Sequence, residues 1–222
     1  MMNTDLTGVI LAGGRARRMQ GDPALRAMNP DACRAGAQDP GGGGPRTDIE
    51  KGLLDWRGRP LVAHAAAYLE QRVRQVLISA NRAADRYAVY GRVVSDEQVL
   101  GRDAGPLAGV ASALAVSATP WLLVIPVDVP NLPGDLDARL LLAAAEQGSP
   151  VAYAMTSRPH PLCMVAHRGV LPDLRSFLAA GGRRVRDWQA RHRPACVAFA
   201  SDEGWFENLN TPDDWRRAAR SR

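Results

Sequence analysis

A single lysine, Lys51, stands in a chain whose 28 Lys and Arg residues are otherwise all arginine. Lysine is a compact point charge on a flexible stem and arginine a planar fork, so a site shaped around one phosphoryl oxygen need not accept both. On this fact alone, Lys51 reads either as a phosphate contact or as the one lysine left by an arginine-biased composition. It lies in "DIEKGLLDWRGRP". Upstream, "GVILAGGRARRM" ends an apolar run in Gly13 and Gly14, followed by Arg15, Arg17 and Arg18. Two glycines at a strand end let backbone N–H groups approach an anion, and the arginines add charge. The same dipeptide also makes a bare tight turn. The run is neither a G-x-x-x-x-G-K-[ST] phosphate loop nor a full G-x-G-x-x-G dinucleotide fingerprint.

A carboxylate is the second element such chemistry needs. "WLLVIPVDVPNLP" places Asp128 at the end of a buried apolar run, with Pro126 and Pro130 stiffening the chain around it. In a parallel sheet that edge is where ligands bind, and a carboxylate there can hold Mg2+ together with substrate phosphates. The structural alternative is a cap or turn Asp. "RDAGPLAGV" brings Asp103, Gly105, Pro106, Leu107 and Gly109 to a loop-to-helix junction, which suits either close reading of a flat base or an ordinary Gly-Pro helix start. In "RPHPLCMV", His160 reads as a hydrogen-bonded structural histidine. In "FENLNTPDDW", Asn208 and Asn210 read as turn or cap residues before a helix capped by Thr211. The sequence has no Ser-His-Asp or Cys-His order of known type, and its four histidines do not cluster as metal ligands.

The elements that must position these residues alternate. Strand-type runs are predicted at "TGVILA", "QVLISA", "RVVSD", "WLLVIPVD", "VAYAMT", "CMVAH" and "CVAFAS". Helical segments are predicted at "PLVAHAAAYLEQRV", "GPLAGVASALAVS", "GDLDARLLLAAAEQ", "VLPDLRSFLAA", "RRVRDWQARH" and "PDDWRRAAR". This is the pattern of an α/β protein with a mostly parallel sheet covered by helices. Residues 22–47, with "DPGGGGP" and no sustained apolar period, cannot bury enough surface to order themselves and read as a mobile insertion.

At 222 residues the chain suits one domain. Its net charge of +5 hints at polyanionic partners, but an Arg-rich composition also arises from coding bias, and nucleic acid is not expected as a partner. Cys33, Cys163 and Cys196 are odd in number and scattered, which fits a reducing cytoplasm and neither a zinc site nor a disulfide framework. The start does not read as a signal peptide, and "WLLVIPV" is far short of the roughly 20 apolar residues a spanning helix needs. A cytoplasmic protein with no membrane contact is expected.

Taken together, "LAGGRARRM", "EKGLLDWRGRPLVAH", "GPLAG", "PVDVPNLP", "HPLCMV" and "FENLNTP" resemble, in order and spacing, the molybdenum cofactor guanylyltransferase (MobA) family. The resemblance covers nearly the whole chain outside residues 22–47. It implies a single-domain Rossmann-like nucleotidyltransferase, residues 1–222, with Mg2+ as cofactor. The implied reaction joins GTP to molybdenum-loaded molybdopterin, with transient contacts to molybdoenzyme maturation proteins. It places Leu11, Ala12, Gly13 and Gly14 around the nucleotide, Arg18 and Lys51 at its phosphates, and Asp96 as an acidic nucleotide contact. It implies that Gly105, Pro106 and Leu107 meet the base, that Asp128 is the Mg2+ ligand, and that Lys51, Arg18 and Asp128 carry catalysis. Arg183, Arg184, Asn208 and Asn210 fall where the family handles the pterin substrate. Ser79 stands where the family has the first residue of an Asn-x-Asn pair that meets base or ribose. The family also keeps its glycine loop and lysine within a few residues, whereas here the insertion parts them. Long loops cost little extra closure entropy, about 0.6 kcal/mol per doubling, so the two halves are expected to meet in space.

Overall fold

The computed structural model describes residues 3–13, 50–97, 105–201 and 204–220. Gly14, Arg15, Arg17, Arg18, Asp103 and the 22–47 insertion lie outside them.

Trp121–Pro126 forms β6, in which Leu122 and Val124 face one hydrophobic cluster while Leu123 and Ile125 face another; none of the four is exposed. A strand buried on both faces reads as a continuous apolar run, as this one does. Each such side chain stabilises the fold by about 1.5–3 kcal/mol. β6 lies within a seven-stranded sheet of order β5-β4-β1-β6-β8-β7-β9. The others are β1 (Asn3–Leu11), β4 (Val73–Ser79), β5 (Arg92–Val94), β7 (Val151–Met155), β8 (Pro159–His167) and β9 (Ala195–Ala198). All pairings are parallel except those of β8, which runs antiparallel to both β6 and β7. A short hairpin, β2 (Asp55–Trp56) with β3 (Arg59–Pro60), stands apart.

Helices cover both faces. One cluster takes most of its helical residues from α1 (Leu61–Glu70), α4 (Leu136–Glu146) and α7 (Pro212–Arg220). The other takes them from α3 (Pro106–Val116), α5 (Leu171–Ala179) and α6 (Val185–Ala190). The one-turn helix α2 spans Ala84–Tyr87. The expected mostly parallel sheet flanked by helices is therefore present. Among the described residues no helix is long and apolar enough to cross a membrane.

Two features of this topology open a cleft. The chain builds β1, β4 and β5 outward in one direction, then returns past β1 to place β6 on its other side, which leaves a switch point beyond the carboxyl ends of β1 and β6. On its outer flank β6 pairs with β8 only from Trp121 to Val124. A register shift between Tyr153 and Ala154 carries β8 onward along β7, and Pro161, which could not donate to a ladder, lies beyond the β6 pairing. The end of β6 and the residues after it thus have no β8 residue paired to them on that side.

Candidate active site

The cleft, about 420 Å³ in volume, lies along the strand ends. Leu11 at the end of β1 and Gly13 just past it line the cleft, with Ser79 at the end of β4 and Asn81 just past it, Asp96 beyond β5, and Val127 and Asp128 directly after β6. Backbone bonds hold this rim together. Ala12 donates to the Ser79 carbonyl at 2.9 Å, Ala80 to that of Val94 at 3.1 Å, and Val127 to that of Leu11 at 3.2 Å.

At the β6 end, Lys51 opens a 3-10 turn, Lys51–Leu53, and is only 6% exposed. Its Nζ donates to Asp128 Oδ2 at 2.6 Å and to Asn210 Oδ1 at 2.6 Å. The other Asp128 oxygen accepts from Asn208 Nδ2 at 3.3 Å, and the Asp128 carbonyl accepts from the Leu209 N–H at 2.8 Å. Residues from three distant stretches therefore converge on one ammonium–carboxylate pair. The turn behind Lys51 is tethered by buried Glu50, whose Oε1 accepts from Arg82 Nε at 2.6 Å.

At the β5 end, Asn81 and Asp96 hold each other reciprocally. Asn81 Nδ2 donates to Asp96 Oδ2 at 2.7 Å, and the Asp96 N–H donates to Asn81 Oδ1 at 2.8 Å. Gly105 and Pro106 also line the cleft: Gly105 caps α3 with φ of 80° and ψ of −173°, which suit a residue without Cβ, and Pro106 occupies the first turn. One turn on, Gly109 packs so closely on β4 that an added Cβ would lie 2.2 Å from Ser79 Oγ and 3.2 Å from Leu11 Cδ2. A serine with a glycine facing it thus occupies the ground where the resemblance implied an asparagine. The clash is close enough that overpacking should take the upper part of its usual range, about 2–3 kcal/mol, so Gly109→Ala is expected to be destabilising even after the roughly 1 kcal/mol that alanine gains in helix propensity. Ser79→Gly in the same chain should restore most of the loss. Urea denaturation checks both, and an unchanged Gly109→Ala midpoint would contradict the packing argument.

Of the residues predicted from sequence, Leu11, Gly13, Lys51, Ser79, Asp96, Gly105, Pro106, Asp128 and Asn210 line the cleft. Ala12 and Leu107 sit behind its wall, fully buried. Asn208 reaches the site through Asp128. Arg183 and Arg184 are not among the lining residues: they are exposed in the α5–α6 connection, where Arg183 Nη1 donates to the carbonyls of Leu178 at 2.8 Å and Gly182 at 2.7 Å, closing the end of α5. Gly14 and Arg18 lie outside the described residues. His160 is hydrogen-bonded to Thr156 Oγ1 at 2.8 Å and stacked on Phe206 at 4.6 Å. Burial first, and then the charge of Arg158, lowers its pKa from the ordinary imidazole value. Asn81, Pro126, Val127 and Leu162 complete the lining without having been assigned to it from sequence.

The family model of the MobA-like NTP transferase domain matches residues 40–195. A relative from Shewanella sp. (strain MR-4), the molybdenum cofactor guanylyltransferase, is 35% identical over 219 residues, spanning 98% of this chain and 97% of its own length. Two solved structures share the fold. The molybdopterin-guanine dinucleotide biosynthesis protein A of Archaeoglobus fulgidus has a TM-score of 0.67 at 18% identity, with 96% of both chains covered. The Rv0371c protein of Mycobacterium tuberculosis, solved in complex with manganese, has a TM-score of 0.63 at 18% identity, covering 96% of this chain and 97% of its own. A switch-point cleft in this fold, with these matches, makes the protein a nucleotidyltransferase. The chain belongs to the MobA-like NTP transferase family.

Proposed function

We propose that this chain transfers GMP from GTP to the terminal phosphate of molybdenum-loaded molybdopterin, giving the guanine dinucleotide cofactor and pyrophosphate. The observation that carries the reading is the convergence of Lys51, Asp128 and Asn210 at the switch point of a chain 35% identical to a guanylyltransferase.

The cleft suits a nucleotide laid across the strand ends. Lys51 and Asp128 lie at the β6 end and Asp96 beyond β5, three strand intervals or about 14 Å away. Phosphates belong beside the ammonium. The carboxylate of Asp96 repels phosphates and accepts from N–H or O–H donors, such as guanine N1–H and its 2-amino group or the ribose hydroxyls. The acceptor phosphate is already an anion, so no general base is needed. A new bond forms from its oxygen to the α-phosphorus as the bond from that phosphorus to the α–β bridging oxygen breaks, and the electron pair leaves on pyrophosphate. Lys51 supplies a fixed positive charge for that leaving group, and the resemblance adds Arg18.

The site fits Mg2+ on its donor chemistry. Asp128 Oδ2 and Asn210 Oδ1 already face a cation, the Lys51 ammonium, and Mg2+ is commonly held by one or two carboxylates with substrate phosphates and water. Asp128 would hold it, and the ion would neutralise charge on the phosphates. Pyrophosphate release from GTP, CTP and ATP with Mg2+, with and without molybdenum-loaded molybdopterin, tests the proposal. Release only from GTP and only with acceptor is the expected result. Preference for CTP would overturn the base, and GTP binding without pyrophosphate release in the presence of any acceptor would make the chain a cofactor-delivery protein.

A further inference from the structure

We propose that Asp214 is a positioning residue for Lys51, acting through Asn210. The side chain of Asn210 holds the ammonium, so the placement of Asn210 sets the placement of the charge. That placement is fixed at the first turn of α7. The Asn210 N–H donates to Asp214 Oδ2 at 3.1 Å, and the Thr211 N–H donates to the same oxygen at 2.8 Å. The Asp214 N–H donates in return to Thr211 Oγ1 at 3.2 Å, a reciprocal box at the helix start. The second carboxylate oxygen of Asp214 accepts from Arg217 Nη2 at 2.6 Å.

The same helix also grips the chain next to Lys51. Trp215, buried, meets Trp56 edge-on with ring centroids 5.3 Å apart and planes at 82°. Arg57 Nη2 donates to the Ala218 carbonyl at 3.2 Å. α7 therefore steadies the Lys51 segment at two points, one beyond its backbone turn and one at its ammonium. A long flexible stem held in this way before substrate arrives needs no reorganisation when charge develops.

Because Lys51 is the one lysine, its amine can be followed directly. Full-length protein is treated with acetic anhydride, and acylation of Lys51 is read by mass spectrometry with the N-terminal amine as reference. Asp214→Ala should raise the Lys51 rate about fivefold, the population shift that loss of a capping interaction brings. Asp214→Asn, which keeps the acceptor oxygen, should stay at the native rate. Asn210→Ala should raise the rate by itself, with Asp214→Ala adding nothing further in that background. Should Asp214→Ala fail to fold, Thr211→Val, which removes the return bond, gives the same comparison. A native rate in a folded Asp214→Ala protein, or an equal further rise in the Asn210→Ala background, would overturn the proposal. The kinetic consequence, a lower kcat with little change in KM for GTP, rests on the proposed function. The acylation pattern does not, so a chain that shows the pattern but transfers no GMP keeps the positioning role and loses the proposed activity.

Discussion

Asp128→Asn should reduce Mg2+-dependent pyrophosphate release by on the order of a thousandfold while the protein stays folded, since a preorganised electrostatic group is commonly worth a factor of 10² to 10³. The substitution keeps the shape of the side chain. Its oxygen can still face Lys51, and its amide can face Asn208 once that residue turns its own oxygen inward. The Leu209 bond at 2.8 Å is made to the Asp128 backbone carbonyl and is untouched. The full negative charge is lost. Without it a divalent ion has no anionic ligand at the proposed site among the described residues, and the buried ammonium of Lys51 is left with the neutral oxygens of the substituted side chain and of Asn210 in place of a carboxylate. Stability should fall by about 1–3 kcal/mol, the usual penalty for weakening a buried charge-assisted hydrogen bond. Turnover measured against Mg2+ concentration, with urea unfolding as control, separates the two effects. Full Mg2+-dependent turnover in the folded variant would remove Asp128 from the metal.

The strands and helices that carry the site were legible because their signals are local. β6 announced itself through unbroken apolar residues, and the start of α3 through Gly105-Pro106. What escaped depends on partners far along the chain. β8 begins at Pro159 rather than Cys163, because a register shift lets the proline-containing stretch pair with β7 beyond the reach of β6. The β2–β3 hairpin turns on Arg57 and Gly58, both at positive φ, and Arg-Gly is not the Asn-Gly signal that marks such turns. The roles of Asn208 and Asn210 were hidden for the same reason. Read singly they are turn residues, and by resemblance they meet the pterin. In the folded chain they hold Asp128 and Lys51, at sequence separations of 80 and 159. That Lys51 and Gly13 line one cleft could be argued from loop entropy. The lysine's partners could not, because no spacing in the sequence encodes them.

Lys51→Arg, which keeps the charge, should still lose turnover by about two to three orders of magnitude, comparable to removing an electrostatic contact altogether. The reason lies in the geometry of donors. An ammonium has three, arranged tetrahedrally, and here one points to Asp128 Oδ2 and one to Asn210 Oδ1, each at 2.6 Å. The third is left for a phosphoryl oxygen. A guanidinium can also pair with Asp128, but its donors lie in one plane, so satisfying the carboxylate and the amide leaves none directed out of that plane. It is also bulkier, at a position only 6% exposed. GTP affinity, spread over the whole length of the cleft, should change less than kcat, and stability should fall by about 1–3 kcal/mol, because the ion pair persists but the larger head must be fitted into a buried position. Single-turnover pyrophosphate release on the folded variant decides the matter. Turnover within a few-fold of the native chain would mean that positive charge alone suffices at this position and that the lysine is an accident of composition. A collapse would mean that a chain using arginine at 27 of its 28 basic positions keeps lysine at the one place where a planar cation cannot serve.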